Sequence, residues 1–174
     1  MAKQVVFLMS DTGGGHRASA NALVEALHCL HGDAVRCQVV DLFTHFGTWP
    51  LGRAWLYYQP LVERHLWLWR LMAWYSDQPP LWRALAAAAL AWQAAGLRRF
   101  ADEFPADLYV SVHPLLNHTP LRVLRRRYPR APFATVVTDL ASAPRSWYNP
   151  AVDWLSASCP EVQAAAARAG LPVE

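Results

Sequence analysis

Charge is scarce in this 174-residue chain: Asp, Glu, Lys and Arg together make up 17% of it, against 54% hydrophobic residues. That balance excludes a disordered polypeptide, and the length suits one compact domain or one lobe of a larger enzyme. Cysteine is nearly absent. Cys29, Cys37 and Cys159 are odd in number and form no Cys-x-x-Cys pair, which argues against a disulfide framework or a zinc site and for a reducing, cytosolic compartment. No apolar run reaches the roughly 20 residues a bilayer-spanning helix needs. The Ala-rich residues 84–97 fall short of that and include Gln93. The N-terminus does not read as a signal peptide, because the apolar residues 5–9 run straight into Ser10-Asp11 without a small-residue cleavage site. Neither an internal repeat nor a low-complexity linker is present. Net charge is +3 with a pI near 9.0, a mild preference for anionic partners. The arginines are scattered or sit at helix ends, so nucleic acid is not an expected partner.

Tryptophan, by contrast, is abundant. Nine indoles exceed what a core of this size needs, and membrane interfaces favour such amphipathic rings. Around them the apolar pattern predicts an open α/β fold. Residues 5–9 read as a strand buried on both faces, ended by a glycine-rich turn. From His16 the period becomes helical, with Ala20, Leu23, Val24, Leu27 and Leu30 on one face and Gly32 as a stop. Residues 35–42 form a second strand with Asp41 near its end, giving a βαβ unit and hence a parallel sheet. Residues 47–104 interrupt the alternation and hold seven of the nine tryptophans. Two helices are expected there, over 52–75 and 80–104, broken at Asp77-Gln78-Pro79-Pro80. Strands at 108–112, 133–137 and, weakly, 154–156 follow, with a basic helix at 120–127. Ser158 is expected to cap a last helix that has Pro160 in its first turn and Gly170 as a stop.

The sharpest local signal is Ser10-Asp11-Thr12-Gly13-Gly14-Gly15-His16, between the first strand and the first helix. Ligands of open parallel sheets bind at the carboxyl ends of strands, where this loop falls. Glycines permit positive φ and close approach to a ligand, and a helix start offers free N–H groups to a phosphate or developing anion. No Gly-Lys-Ser/Thr follows, so this is not a Walker A loop, and Ala18 stands where a dinucleotide fingerprint needs its last glycine. His16 at the mouth of the loop can take a proton from an attacking hydroxyl; the plainer alternative is a capping or substrate-positioning residue.

Residues 9–20, Met-Ser-Asp-Thr-Gly-Gly-Gly-His-Arg-Ala-Ser-Ala, closely resemble the opening of monogalactosyldiacylglycerol synthases and bacterial diacylglycerol glucosyltransferases. Asp41-Leu42-Phe43 is similar to the acidic end of that family's second strand. Ser111-Val112-His113-Pro114-Leu115 with Pro120-Leu121-Arg122-Val123-Leu124, and Thr135-Val136-Val137-Thr138-Asp139-Leu140 with Ser146-Trp147-Tyr148, resemble two further family segments in order and spacing. The resemblance covers essentially the whole chain. It implies the N-terminal, acceptor-binding Rossmann-like lobe of a GT-B glycosyltransferase, in which two such domains face each other across a cleft. It further implies inverting, metal-independent transfer of a hexose from a UDP-sugar to diacylglycerol, with His16 as base and no cofactor. The family's C-terminal donor-binding domain has no counterpart in residues 1–174. The chain is therefore expected to be a fragment or half of a split enzyme that meets its donor domain in cis or in trans.

Other residues carry competing explanations. Asp139 orients His16 or contacts the acceptor, or else only forms a turn. His113, Asn117 and Trp147 line the acceptor cleft, or a His-Pro turn with Asn117 capping the next helix explains the first two. The histidines lack His-x-His or His-Glu-x-x-His spacing, so no metal site is expected. Trp55, Trp67, Trp69 and Trp74 interleaved with Arg64 and Arg70 suit a helix lying on an anionic membrane surface; the alternative is core packing, and about half the rings of this region are expected to be buried. Arg122, Arg125, Arg126, Arg127 and Arg130 meet anionic headgroups or form a solvated face. Function therefore divides between the glycolipid-forming lobe, peripheral on the cytoplasmic side of a membrane, a catalytically silent lipid-binding module, and a lobe akin to the polyprenyl-linked N-acetylglucosamine transferase of cell-wall synthesis.

Overall fold

A computed structural model describes residues 1–11, 14–76, 79–140 and 143–171; within the helices between residues 51 and 90 some side chains, those of Trp55, Trp69 and Trp82 among them, lie outside the description. Five parallel strands form one sheet: β1 (Lys3–Met9), β2 (Val35–Asp41), β3 (Leu108–Ser111), β4 (Phe133–Val136) and β5 (Trp154–Ser156), in the order β2-β1-β3-β4-β5. The chain leaves β1 for β2 on one side and returns to β3 on the other, which puts the topological switch point between β1 and β3. The expected Rossmann-like α/β fold is what forms.

Helix α1 (Gly15–His31) crosses from β1 to β2. Its capping residue, Gly14, holds φ at +76°, a left-handed conformation that a side chain would strain, so a glycine is required there. Alternation along β1 feeds two cores. Val5, Phe7 and Met9 face α1 with Ala20, Val110 and Val112. Val6 and Leu8 face the larger core, with Phe100, Tyr109, Leu121, Phe133 and Trp147. Both faces of β1 are therefore apolar, the reason its sequence is a continuous hydrophobic run.

That second face is covered by α2 (Leu42–Phe46), α5 (Pro79–Glu103), α6 (Thr119–Arg127) and α7 (Pro160–Arg168). Asp41 ends β2 and caps α2, accepting from the Thr44 backbone N–H at 2.9 Å and its hydroxyl at 2.8 Å. α5 lies so close to α2 that a Cβ on Gly96 would fall 1.8 Å from the Phe46 carbonyl oxygen. Packing, not flexibility, explains that glycine.

Between α2 and α5 the expected single helix is two, α3 (Ala54–Arg64) and α4 (Leu66–Ser76). His65, at φ −129° and ψ 46°, leaves the helical region while its N–H still bonds to the Leu61 carbonyl. The break expected at 77–80 partly lies outside the described residues at Asp77 and Gln78; Pro79 and Pro80 open α5, where missing N–H donors cost nothing. Ser158 does not cap α7. Cys159 holds that position, and the Ser158 hydroxyl donates instead to the Asp139 carbonyl at 2.6 Å. Among the described residues no helix is long and apolar enough to cross a membrane.

Candidate active site at the switch point

The start of α1 and the loop after β3 bring two imidazoles together across the switch point. The rings of His16 and His113 lie 4.5 Å apart, edge to face. His113 is buried, and its Nδ1 accepts from the Leu115 N–H at 3.3 Å, the tight His-Pro turn anticipated from sequence. With Nδ1 an acceptor, the neutral His113 ring carries its proton on Nε2. Phe43 closes over it edge-on at 5.6 Å. Burial, and then the adjacent His16, hold His113 well below the ordinary histidine range.

His16 is half-buried, and its Nδ1 lies 3.1 Å from the hydroxyl of Thr138, at the end of β4. Burial pushes its pKa below 6.5, while a hydrogen bond with the Val112 backbone and the negative charge of Asp139 pull the other way. Depression leaves the ring neutral at pH 7, the state in which an imidazole can accept a proton.

Asp139 acts on His16 through space. Its Oδ2 accepts from the indole Nε1 of Trp147 at 2.7 Å, a strong charge-assisted bond to a ring with no exposed surface. The Trp147 ring in turn stands 6.2 Å from that of His16. Asn117 is also buried, but it does not cap α6; His118 occupies that position. The Asn117 amide donates to the Trp147 carbonyl at 3.2 Å and accepts from the Thr135 hydroxyl at 3.1 Å. His118 reaches the Ser146 carbonyl at 3.0 Å, and Asn149 donates to the Asn117 carbonyl at 2.7 Å. These bonds hold the segment around Trp147 against the turn after β3, so this side of the site is set by a connected polar network.

On the β1 side, Ser10 is buried at the strand end and Asp11 forms a two-pronged ion pair with Arg17, whose Nε donates at 2.8 Å. That bond depresses the Asp11 carboxyl. The Asp11 N–H donates to the Asp41 carboxylate at 3.2 Å, tying the ends of β1 and β2. Gly14 and Gly15 are exposed at the uncapped start of α1; Thr12 and Gly13 lie outside the described residues. Sequence reasoning missed Thr138, Arg17 and Thr135. Thr138 directly precedes Asp139 at a strand end, the one signal that marked it.

The helical segment is otherwise. Trp49, Trp67, Trp74 and Trp92 are 71%, 67%, 57% and 49% exposed. The other three indoles of the segment, Trp55, Trp69 and Trp82, lie outside the described side chains, so the expectation that about half are buried stands as an expectation. Arg64 and Arg70 are exposed as well. In the basic cluster, Arg125 pairs with Asp153 and donates to the Ala131 carbonyl, while Arg127 pairs with Asp102 and covers the Tyr128 ring. Those two arginines hold structure rather than offering free cations. All three cysteines are free thiols, and among the described residues no three His, Cys, Asp or Glu side chains converge as a metal-binding set.

A family model described as monogalactosyldiacylglycerol (MGDG) synthase matches residues 16–174, beginning at His16. The chain belongs to this family. It is 39% identical over 171 residues to the rice (Oryza sativa subsp. indica) protein named "Probable monogalactosyldiacylglycerol synthase 2, chloroplastic", covering 94% of this chain and 35% of that one. Similarity to the monogalactosyldiacylglycerol synthase of Spinacia oleracea is 37% identity, covering 97% of this chain and 33% of the relative. For monogalactosyldiacylglycerol synthase 1 of Arabidopsis thaliana the figures are 37%, 97% and 32%. The chain thus spans about a third of the length of the curated relatives it matches. Its five-strand parallel sheet accords with the N-terminal lobe of a GT-B glycosyltransferase.

Proposed function

We propose that this chain is the acceptor-binding lobe of a hexosyltransferase that glycosylates diacylglycerol at a membrane surface. One observation carries the chemistry: a neutral, half-buried imidazole, His16, stands at the switch point on the start of α1. In the reaction, the diacylglycerol hydroxyl gives its proton to His16. The freed oxygen attacks the anomeric carbon of a UDP-sugar from the face opposite the leaving group. The bond to the UDP oxygen breaks, UDP departs, and the configuration at that carbon inverts. Galactose is the sugar the relatives' names favour, held by a donor-binding domain in cis or in trans. No metal or cofactor is needed in this scheme. The exposed start of α1 would face the charge that develops on the departing diphosphate.

The exposed indoles of Trp49, Trp67, Trp74 and Trp92, with Arg64 and Arg70 beside them, support peripheral docking on anionic lipid. An apolar acceptor has to be lifted from a bilayer, so docking and chemistry belong to one cycle. Family membership favours diacylglycerol over a polyprenyl diphosphate as acceptor. The same exposed indoles favour the second reading, a lipid-binding module without catalysis. Transfer of labelled hexose from UDP-sugar to diacylglycerol, by the enzyme that carries this lobe, separates the two: His16→Ala abolishes transfer if the lobe is catalytic. Unchanged transfer removes His16 as base, and diacylglycerol binding without any transfer leaves the silent module.

A further inference from the structure

We infer that Thr138 is the positioning residue of His16, fixing which ring nitrogen carries the proton. This rests on the reading of His16 as a base. A histidine that takes a proton from a substrate through Nε2 must hold its own proton on Nδ1, and a neutral ring does so reliably only if Nδ1 has an acceptor. The Thr138 hydroxyl oxygen lies 3.1 Å from Nδ1, where it accepts when the ring carries its proton on Nδ1 and donates when it does not; the inferred role is the acceptor's. Asp139, the carboxylate that sequence order would nominate for this task, gives Oδ2 to the buried Trp147 indole at 2.7 Å. The end of β4 thereby divides two duties between adjacent residues. Asp139 locks the indole and supplies charge from a distance; Thr138 makes the contact that sets the ring.

The position of Thr138 is itself well held. It lies two residues past β4, and the residue between, Val137, donates its N–H to the Ser156 carbonyl of β5 at 3.0 Å. On the far side Asp139 is pinned through Trp147 and through its own carbonyl, which accepts from Ser158. A hydroxyl anchored on both flanks orients an imidazole without moving to meet it, which is what a supporting contact needs in order to be selective. The rival acceptor is the Val112 backbone on the β3 side, which also bonds the ring.

Long-range proton–nitrogen correlation spectra of this chain, recorded above the His16 pKa, read the tautomer directly. The wild type is expected to carry the proton on Nδ1. Thr138→Val, close in shape but lacking the hydroxyl, is expected to turn that form into a minority, and Thr138→Ser to restore it. A wild-type proton on Nε2, or a Thr138→Val spectrum unchanged from wild type, overturns the inference; the second result names the Val112 backbone as the anchor instead. Retained strand and core signals show that a variant is folded, and Thr138→Ser keeps the test open if Thr138→Val is not. In the enzyme that carries this lobe, Thr138→Val should lower kcat by about ten- to a hundredfold while the KM for diacylglycerol stays put. The expected tautomer together with transfer indifferent to His16→Ala would leave Thr138 as the positioning residue and sink only the base assignment.

Discussion

The carboxyl edge of the sheet and the helical segment of residues 47–104 treat their tryptophans in opposite ways. At the edge, Trp147 is wholly buried and bound to Asp139, and the polar groups around it are linked into one network. In the helical segment Trp49, Trp67, Trp74 and Trp92 stand in the open. A buried indole whose N–H has a carboxylate partner fixes geometry. Four exposed ones within one segment offer apolar surface that a membrane or another domain can cover. On the proposed function, the first region places atoms and the second meets a membrane surface.

The contrast sharpens under substitution. His16→Ala should cost the most in function, about 10²- to 10⁴-fold in transfer, while thermal melting of the lobe hardly moves. Trp147→Ala should cost the most in stability, about 3–5 kcal/mol by urea denaturation, because it empties a filled core site and strands Asp139. Any of the exposed indoles changed to alanine should shift stability by no more than about 0.5 kcal/mol. A large loss at Trp67 or Trp74 would break the contrast by showing that these rings are structural.

Between these lies Gly96→Ala. In an open helix that change stabilises, but here the new methyl meets the Phe46 carbonyl, so α5 must move off α2 at about 1–3 kcal/mol. Neutral or increased stability would show that α5 is loosely seated and that the helical segment begins further along than its packing suggests.

Acid probes the edge alone. His113, His118 and His16 all have folded pKa values below 6.5, so the unfolded chain binds more protons than the folded one in the window just beneath that value. Their contribution is complete above about pH 6.5 and is lost as pH falls through the window. The urea midpoint should therefore drop between pH 7.5 and 5, and His113→Asn should flatten the drop. For catalysis, kcat/KM should rise with pH through a pKa lower than that of an ordinary histidine. Asp139→Asn should move that limb to still lower pH, since the Asp139 charge raises the His16 pKa. A limb displaced upward would contradict His16 as the titrating base.

Much of this was legible in residue order, for physical reasons. The run Val-Val-Phe-Leu-Met of β1 announces a strand buried on both faces, and the glycines after it announce a turn at the ligand edge. Prolines were a poorer guide to helix breaks: Pro60 lies inside α3, and the break at His65 has no proline to announce it. What escaped depends on partners distant in sequence. Ser158 has the local signature of a cap, but the Asp139 carbonyl claims its hydroxyl. Asn117 likewise turns inward to Thr135 and Trp147 rather than capping α6. Thr138 reads as an ordinary strand residue, and only the folded sheet sets its hydroxyl beside a histidine 122 positions earlier. Which indoles face outward was not legible, because the Leu- and Ala-rich helices around them show no sharp apolar stripe from which to tell inside from outside.

The division of labour is tested most directly by transfer to two forms of one acceptor: diacylglycerol in anionic vesicles and a short-chain diacylglycerol dispersed in detergent. The Trp67→Ala/Trp74→Ala enzyme should lose transfer from vesicles and keep it from detergent, whereas His16→Ala should lose both. Transfer by His16→Ala on either acceptor, or equal losses on both acceptors in the double tryptophan variant, would contradict it.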